Sequence, residues 1–106
     1  MQINQFYKGK NIIITGASSG IGKATTIKLM GFNTKIAIVA RRREKLKELQ
    51  NSNDGNSKVF IYDGDISKRV FCKKTLVDFT KKTGGVDILI NNAGISMNAK
   101  FESCSL

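Results

Sequence analysis

Three observations predict an α/β fold built on a parallel sheet. Four short apolar runs lack the in-out alternation of a half-wetted sheet, as strands covered on both faces do. Stretches with helical character separate these runs, giving the order β-α-β-α-β-α-β that suits right-handed crossovers. A glycine-rich turn from Gly16 to Gly22 joins the first run to the first helical stretch.

The first strand is predicted over Asn11–Thr15, which is apolar and β-branched up to Gly16. A helix over Ser19–Met30 follows, with Ile21, Ala24, Ile27 and Met30 as its expected apolar stripe. Lys35–Ala40 reads as the second strand. Arg43–Gln50 reads as the second helix, with Leu46 and Leu49 facing inward and Lys and Glu facing water. A polar turn over residues 51–56 leads to the third strand, Lys58–Tyr62. Ser67 is the expected N-cap of a helix running to about Lys82, with Val70, Phe71, Val77 and Phe79 as its apolar positions. Gly84-Gly85 stops that helix. Val86–Ile90 is the fourth strand, and a tail begins at Asn91.

Composition narrows the function classes. The chain has 106 residues, of which 41% are hydrophobic and 25% charged, as in one small globular domain. No apolar run approaches the roughly 18–20 residues of a spanning helix, so no membrane partner is expected. Residues Met1 to Lys8 lack the apolar core of a signal peptide, which predicts a cytoplasmic location. Cys72 and Cys104 form no C-x-x-C pair and histidine is absent, so neither a disulfide framework nor a metal site is expected. The formal net charge is +10, but the basic residues are dispersed and only Arg41-Arg42-Arg43 forms a tight cluster. That pattern predicts a solvated basic surface and no nucleic-acid partner.

The turn Thr15-Gly16-Ala17-Ser18-Ser19-Gly20-Ile21-Gly22 carries the chemistry. Gly16 can adopt angles that a side chain forbids, allowing a sharp bend. Gly20 permits close approach of the backbone to a pyrophosphate, and Gly22 permits tight packing of helix on strand. The N–H groups opening the helix, at its positive end, face an anion there. Ser18 and Ser19 can donate hydroxyl hydrogen bonds to phosphate or ribose. The spacing is G-x-x-x-G-x-G and not the general dinucleotide fingerprint G-x-G-x-x-G.

Three segments in order, Thr15–Gly22, Asp65 with Ile66 and Ser67, and Asn91-Asn92-Ala93-Gly94, resemble the short-chain dehydrogenase/reductase family across the whole chain. The resemblance implies a Rossmann-like parallel sheet in strand order 3-2-1-4 with flanking helices, truncated after the fourth strand. Residues 1–106 would then be the N-terminal part of an NAD(P)-binding domain. It also implies that Gly16, Ser18, Ser19, Gly20, Ile21 and Gly22 hold the pyrophosphate and adenosine ribose. Asp65 would meet the adenine amino group, and the backbone of Ile66 the adenine edge. Asn91, Asn92, Ala93 and Gly94 would line the ribose and steady the central sheet. Asn91-Asn92 also suits a side-chain–backbone turn lock.

The end of the second strand selects the cofactor. A carboxylate there would accept the ribose hydroxyls and repel a 2′-phosphate, whereas this chain has Ala40-Arg41-Arg42-Arg43. Guanidinium groups pair well with phosphate. NADP is therefore expected over NAD, with Arg41 and Arg42 as phosphate ligands. Arg43 is expected to start the next helix, facing Glu44 or solvent.

The family transfers hydride between nicotinamide and a carbonyl or alcohol carbon, using a Tyr, a Lys four residues later, a Ser and an Asn. Tyr7 is followed at that distance by Asn11, and Tyr62 by Ile66. No catalytic residue is expected in this chain, and Ser96 and Ser103 are given no such role. The expectation is the cofactor half of a short-chain oxidoreductase, inactive alone. It would meet a small carbonyl or alcohol substrate only with its other half, and would lack the family's oligomer interface. Val86–Ile90 would be an exposed apolar edge. The alternative is a non-enzymatic nucleotide-binding or interaction module.

Overall fold

The computed structural model describes residues 3–92. In chain order the elements are α1 (Ile3–Tyr7), β1 (Asn11–Thr15), α2 (Gly20–Met30), β2 (Lys35–Ala40), α3 (Arg43–Asn51), β3 (Lys58–Asp63), α4 (Arg69–Thr83) and β4 (Ile88–Asn91). The four strands form one sheet in the order β3-β2-β1-β4, and every pairing is parallel. In register, Ile13 lies between Ala37 of β2 and Leu89 of β4.

Alternation along the central strands divides the core into two layers. Ile12, Ile14, Ile36 and Ile38 pack with Leu29 and Met30 of α2 and Leu46 and Leu49 of α3. Ile13, Ala37 and Val39 face the opposite way, onto Cys72 and Phe79 of α4. Central strands buried on both sides explain the unbroken apolar runs. Each large side chain so buried contributes roughly 1.5–3 kcal/mol. Half-buried Ile88 and Ile90 of β4 join the first layer and Leu89 the second, at an edge of the described sheet.

Helix faces depart from the sequence reading in two places. The buried face of α2 is Gly22, Thr26, Leu29 and Met30, while Ile21 is 78% exposed and Ala24 and Ile27 are also exposed. Steps of three drift around a helix, so Ile21 and Met30, nine residues apart at about 100° each, lie on opposite sides. Thr26 tolerates burial because its hydroxyl donates to the Gly22 carbonyl at 2.8 Å. On α4 the buried residues are Cys72, Thr75 and Phe79, while Val70 is 68% exposed. Ser67 is not the cap of this helix. Lys68 takes the N-cap position without a side-chain capping bond, and the Ser67 hydroxyl donates to Asp65.

Two further features escaped the periodicity. Helix α1 is too short to show a repeat, and it is fixed by Tyr7 stacking on Phe32 at 5.7 Å. A buried polar knot closes the opposite end of the sheet from the glycine turn. There the Ser57 hydroxyl accepts from the Thr34 N–H and donates to the Met30 carbonyl, both at 2.8 Å. The Thr34 hydroxyl donates to the Leu29 carbonyl at 3.0 Å. The knot ties the end of α2 to the starts of β2 and β3.

Candidate functional site

Because all strands are parallel, their C-terminal ends open on one side of the sheet. Thr15-Gly16, Ala40-Arg41, Asp63-Gly64-Asp65 and Asn91-Asn92 meet there, the position where open α/β sheets form a binding crevice. Gly16 (φ +63°) and Gly20 (φ +55°) both adopt the left-handed conformation. A side chain at either would cost roughly 1–2 kcal/mol.

Gly22 lets the start of α2 approach the backbone just beyond β1. A Cβ there would collide with the Gly16 carbonyl oxygen and lie 3.2 Å from the Ala17 Cα. The glycine admits the chain's own loop, folded back over the first turn of α2. Ala17 is fully buried and its N–H donates to the Val39 carbonyl at 3.3 Å, pinning the loop to β2. Ser19 is the N-cap of α2, extended, and its side chain makes no capping bond. The N–H groups of Gly20, Ile21 and Gly22 precede the first intrahelical bond and point out of the helix end.

A cavity of about 430 Å³ lies between this loop and the end of β2. Gly16, Ser18 and Ser19 form one wall, and Ala40, Arg41 and Arg42 another. Ile66 and Lys45 complete the lining. The sequence reading missed Lys45; its position three residues after Arg42, one turn into α3, could have revealed it.

The three arginines are not equivalent. Arg41 forms an ion pair with Asp65 at 3.3 Å. Arg43 starts α3 as expected, but its guanidinium meets Asp63 at 2.8 Å and not Glu44. The parallel sheet sets the ends of β2 and β3 side by side, bringing these groups together across 20 residues of chain. Arg42, the exposed N-cap of α3, has no ion pair among the described residues.

Asp65 Oδ1 accepts from both the Ser67 N–H at 2.9 Å and the Ser67 hydroxyl at 2.7 Å. These two bonds, chiefly the hydroxyl's, hold its carboxyl below the usual carboxylate range. Desolvation opposes them, and the smaller attractions of Arg41 and then Lys68 add to the lowering. Across the crevice, the buried Thr15 hydroxyl donates to Asn91 Oδ1 at 2.9 Å, joining the ends of β1 and β4. The Asn92 N–H donates to the Thr15 carbonyl at 3.3 Å, and its side chain is exposed. Ala93 and Gly94 lie outside the described residues.

Tyr62 sits on the α4 face of β3, where its hydroxyl donates to Asp78 Oδ2 at 2.6 Å. Burial, and then that acceptor, push the phenol well above its ordinary range, so it is held protonated. Asp78 is correspondingly held low, first by the phenol and then by Lys82 at 2.9 Å. A larger groove of about 530 Å³ on the outer face of α4, lined by Val70, Val77 and lysines, shares no residue with the glycine loop. Among the described residues no group of three or more His, Cys, Asp or Glu could hold a metal ion. No described helix is long and apolar enough to cross a membrane.

Comparison with known proteins sets this geometry in context. The profile of the short chain dehydrogenase family matches residues 10–106. An 11-beta-hydroxysteroid dehydrogenase-like protein of Arabidopsis thaliana is 38% identical over 96 residues, covering 89% of this chain and 31% of its own length. An uncharacterized oxidoreductase of Listeria monocytogenes is 43% identical over 97 residues, covering 91% of this chain and 39% of its own. Among solved structures, L-sorbose reductase from Gluconobacter frateurii, complexed with NADPH and L-sorbose, superimposes with a TM-score of 0.77 at 32% identity. That match covers 83% of this chain and 34% of the reductase. An NAD⁺-bound xylitol dehydrogenase gives a TM-score of 0.78 at 30% identity, covering 84% and 35%. The chain thus spans about a third of the length of these curated relatives, 31% and 39%.

Proposed function

Since this chain belongs to the short chain dehydrogenase family, we propose that its residues form the NADP-binding portion of an oxidoreductase acting on a carbonyl or alcohol substrate. One observation carries the reading: the glycine turn and the arginine-bearing end of β2 face each other across one cavity of about 430 Å³.

The residues fit such a dinucleotide. Gly16 and Gly20, both left-handed, let the loop bend toward a pyrophosphate, and Gly22, which tolerates no Cβ, lets that loop lie close over the start of α2. Gly16, Ser18, Ser19, Gly20, Ile21 and Gly22 bind the pyrophosphate and adjoining ribose, through helix N–H groups and the two hydroxyls. Asp65, kept ionised, accepts from the adenine amino group, and the backbone of Ile66 borders the same ring. Asn91 and Asn92 border the ribose, a role the family resemblance also gives to Ala93 and Gly94. Arg41 and Arg42 take the 2′-phosphate. Arg41 can do so while paired with Asp65, because a guanidinium has five N–H donors.

The hydride chemistry would be supplied by the nicotinamide of a dinucleotide held by these residues. The contribution of these 106 residues is to bind and orient it. They contain no Y-x-x-x-K pair, and Tyr62 is held protonated by Asp78, the reverse of what a proton-relaying phenol needs at neutral pH. By themselves they turn over no substrate.

Titration of NADP and NAD into the purified chain and an Arg41→Asp variant tests the reading. One guanidinium–phosphate contact is worth roughly 1.5–3 kcal/mol, about tenfold to 150-fold in affinity. The parent chain should favour NADP by at least that factor, and the variant should lose the preference. An unchanged NADP/NAD ratio would refute the assignment of Arg41.

A further inference from the structure

We propose that Lys45 is a specificity-determining residue for the 2′-phosphate, supplying charge that the arginine cluster alone does not. The inference rests on the nucleotide-binding reading above and adds a residue to it.

Residues 41–43 read as three cations beside the cavity, but Asp65 engages Arg41 at 3.3 Å and Asp63 engages Arg43 at 2.8 Å. Of the three, Arg42 alone lacks an acidic partner among the described residues. A phosphate monoester carries about −1.5 to −2 charges near pH 7. One uncommitted guanidinium balances only part of that.

Lys45 makes up the difference. It lines the same cavity as Arg42, Ser18 and Ser19, and has no ion pair among the described residues. It also lines an adjoining cavity of about 330 Å³ with Ser18, Lys23 and Glu48, so it stands on the wall between the two. Glu48, one turn further along α3, does not pair with it. A lysine here is a mobile point charge on a flexible stem, suited to following a phosphate at the cavity mouth. Because Lys45 is exposed, its effect lies between that of a surface ion pair and a charge-assisted hydrogen bond, about threefold to thirtyfold in affinity.

The test uses the full chain and two probes differing only in the 2′-phosphate, adenosine 2′,5′-bisphosphate and adenosine 5′-monophosphate. Calorimetric titrations compare the parent with Lys45→Gln, Lys45→Arg and Lys47→Gln. The last removes the same charge from the same helix at a residue that does not line the cavity. Circular dichroism confirms that each variant is folded. Lys45→Gln should lose about threefold to thirtyfold for the bisphosphate and less than twofold for the monophosphate. Lys45→Arg should restore most of the loss, and Lys47→Gln should leave the ratio of the two affinities unchanged. If Lys45→Gln and Lys47→Gln behave alike, only net charge matters and the inference fails. A parent chain that binds both probes equally overturns the 2′-phosphate site and Lys45 with it. A parent that binds neither overturns the nucleotide reading itself.

Discussion

Replacing Gly22 by alanine sets two effects of opposite sign against each other. Gly22 has a helical conformation inside α2, where alanine is ordinarily favoured by about 1 kcal/mol. Against this stands the loop. A Cβ would strike the Gly16 carbonyl oxygen and sit 2.8 Å from its carbonyl carbon and 3.2 Å from the Ala17 Cα. All three are backbone atoms, so no side chain can swing aside. Ala17 is fully buried and tied to Val39, which leaves the Gly16 peptide as the part that must move. Overpacking a tight site costs typically about 1–3 kcal/mol. With backbone as the obstacle we take the upper half of that range. The net expectation for Gly22→Ala is a loss of about 1–2 kcal/mol, a factor of roughly 5–30 in the folded/unfolded ratio. Nucleotide affinity should fall as well, because the Gly16 peptide lines the cavity. Urea unfolding followed by circular dichroism measures the first effect and titration of NADP the second. Gly20→Ala is the control: nothing lies within 4 Å of its Cβ, so it bears only the cost of its left-handed φ. A Gly22→Ala chain that unfolds at higher urea than the parent, as helix propensity alone dictates, would show that the loop does not press on the helix.

Two other expectations follow from the hydrogen bonds. Ser57→Ala leaves the buried Thr34 N–H and Met30 carbonyl without the hydroxyl that serves both, at roughly 1–3 kcal/mol per orphaned group. A drop in the urea midpoint with nucleotide affinity preserved is the expected result, since the knot is remote from the crevice. Ser67→Ala should raise the Asp65 pKa toward the ordinary carboxylate value, because the Ser67 hydroxyl is the largest cause of its depression. A carboxylate depressed in the folded state stabilises above its unfolded pKa of about 3.9 and loses that contribution as pH falls through the folded value. The variant should therefore lose less stability than the parent over that acidic window. A carbon-13 NMR titration of the Asp65 carboxyl reads the shift directly, and an unmoved curve in the variant would contradict the assignment.

Much of the frame was legible in the chain. Ile12-Ile13-Ile14 and Ile36-Ala37-Ile38-Val39 are apolar at every position, which only a strand covered on both sides can accommodate, and both are buried. The need for glycine at 16 could be read locally, since φ belongs to a single residue, whereas the left-handed φ of Gly20 emerged only in the structure. Strand order was different in kind. It came with the family resemblance, because periodicity does not tell which strands are neighbours. The α2 stripe through Ile21 failed because a three-residue step does not track one helix face, and the loop at Gly16 selects the true one.

The sequence by itself determined the alternation of strands and helices, the glycine-rich turn and the presence of cations near it in the chain. These depend on local period and backbone freedom. Only the tertiary structure decided which charges remain available. Asp63 and Asp65 reach Arg43 and Arg41 because parallel pairing of β2 with β3 aligns their ends, and Lys45 joins the cavity because α3 folds back beside it. Electrostatic partnership depends on distance through space, and residues 20 or 24 apart along the chain become neighbours only when the sheet is built.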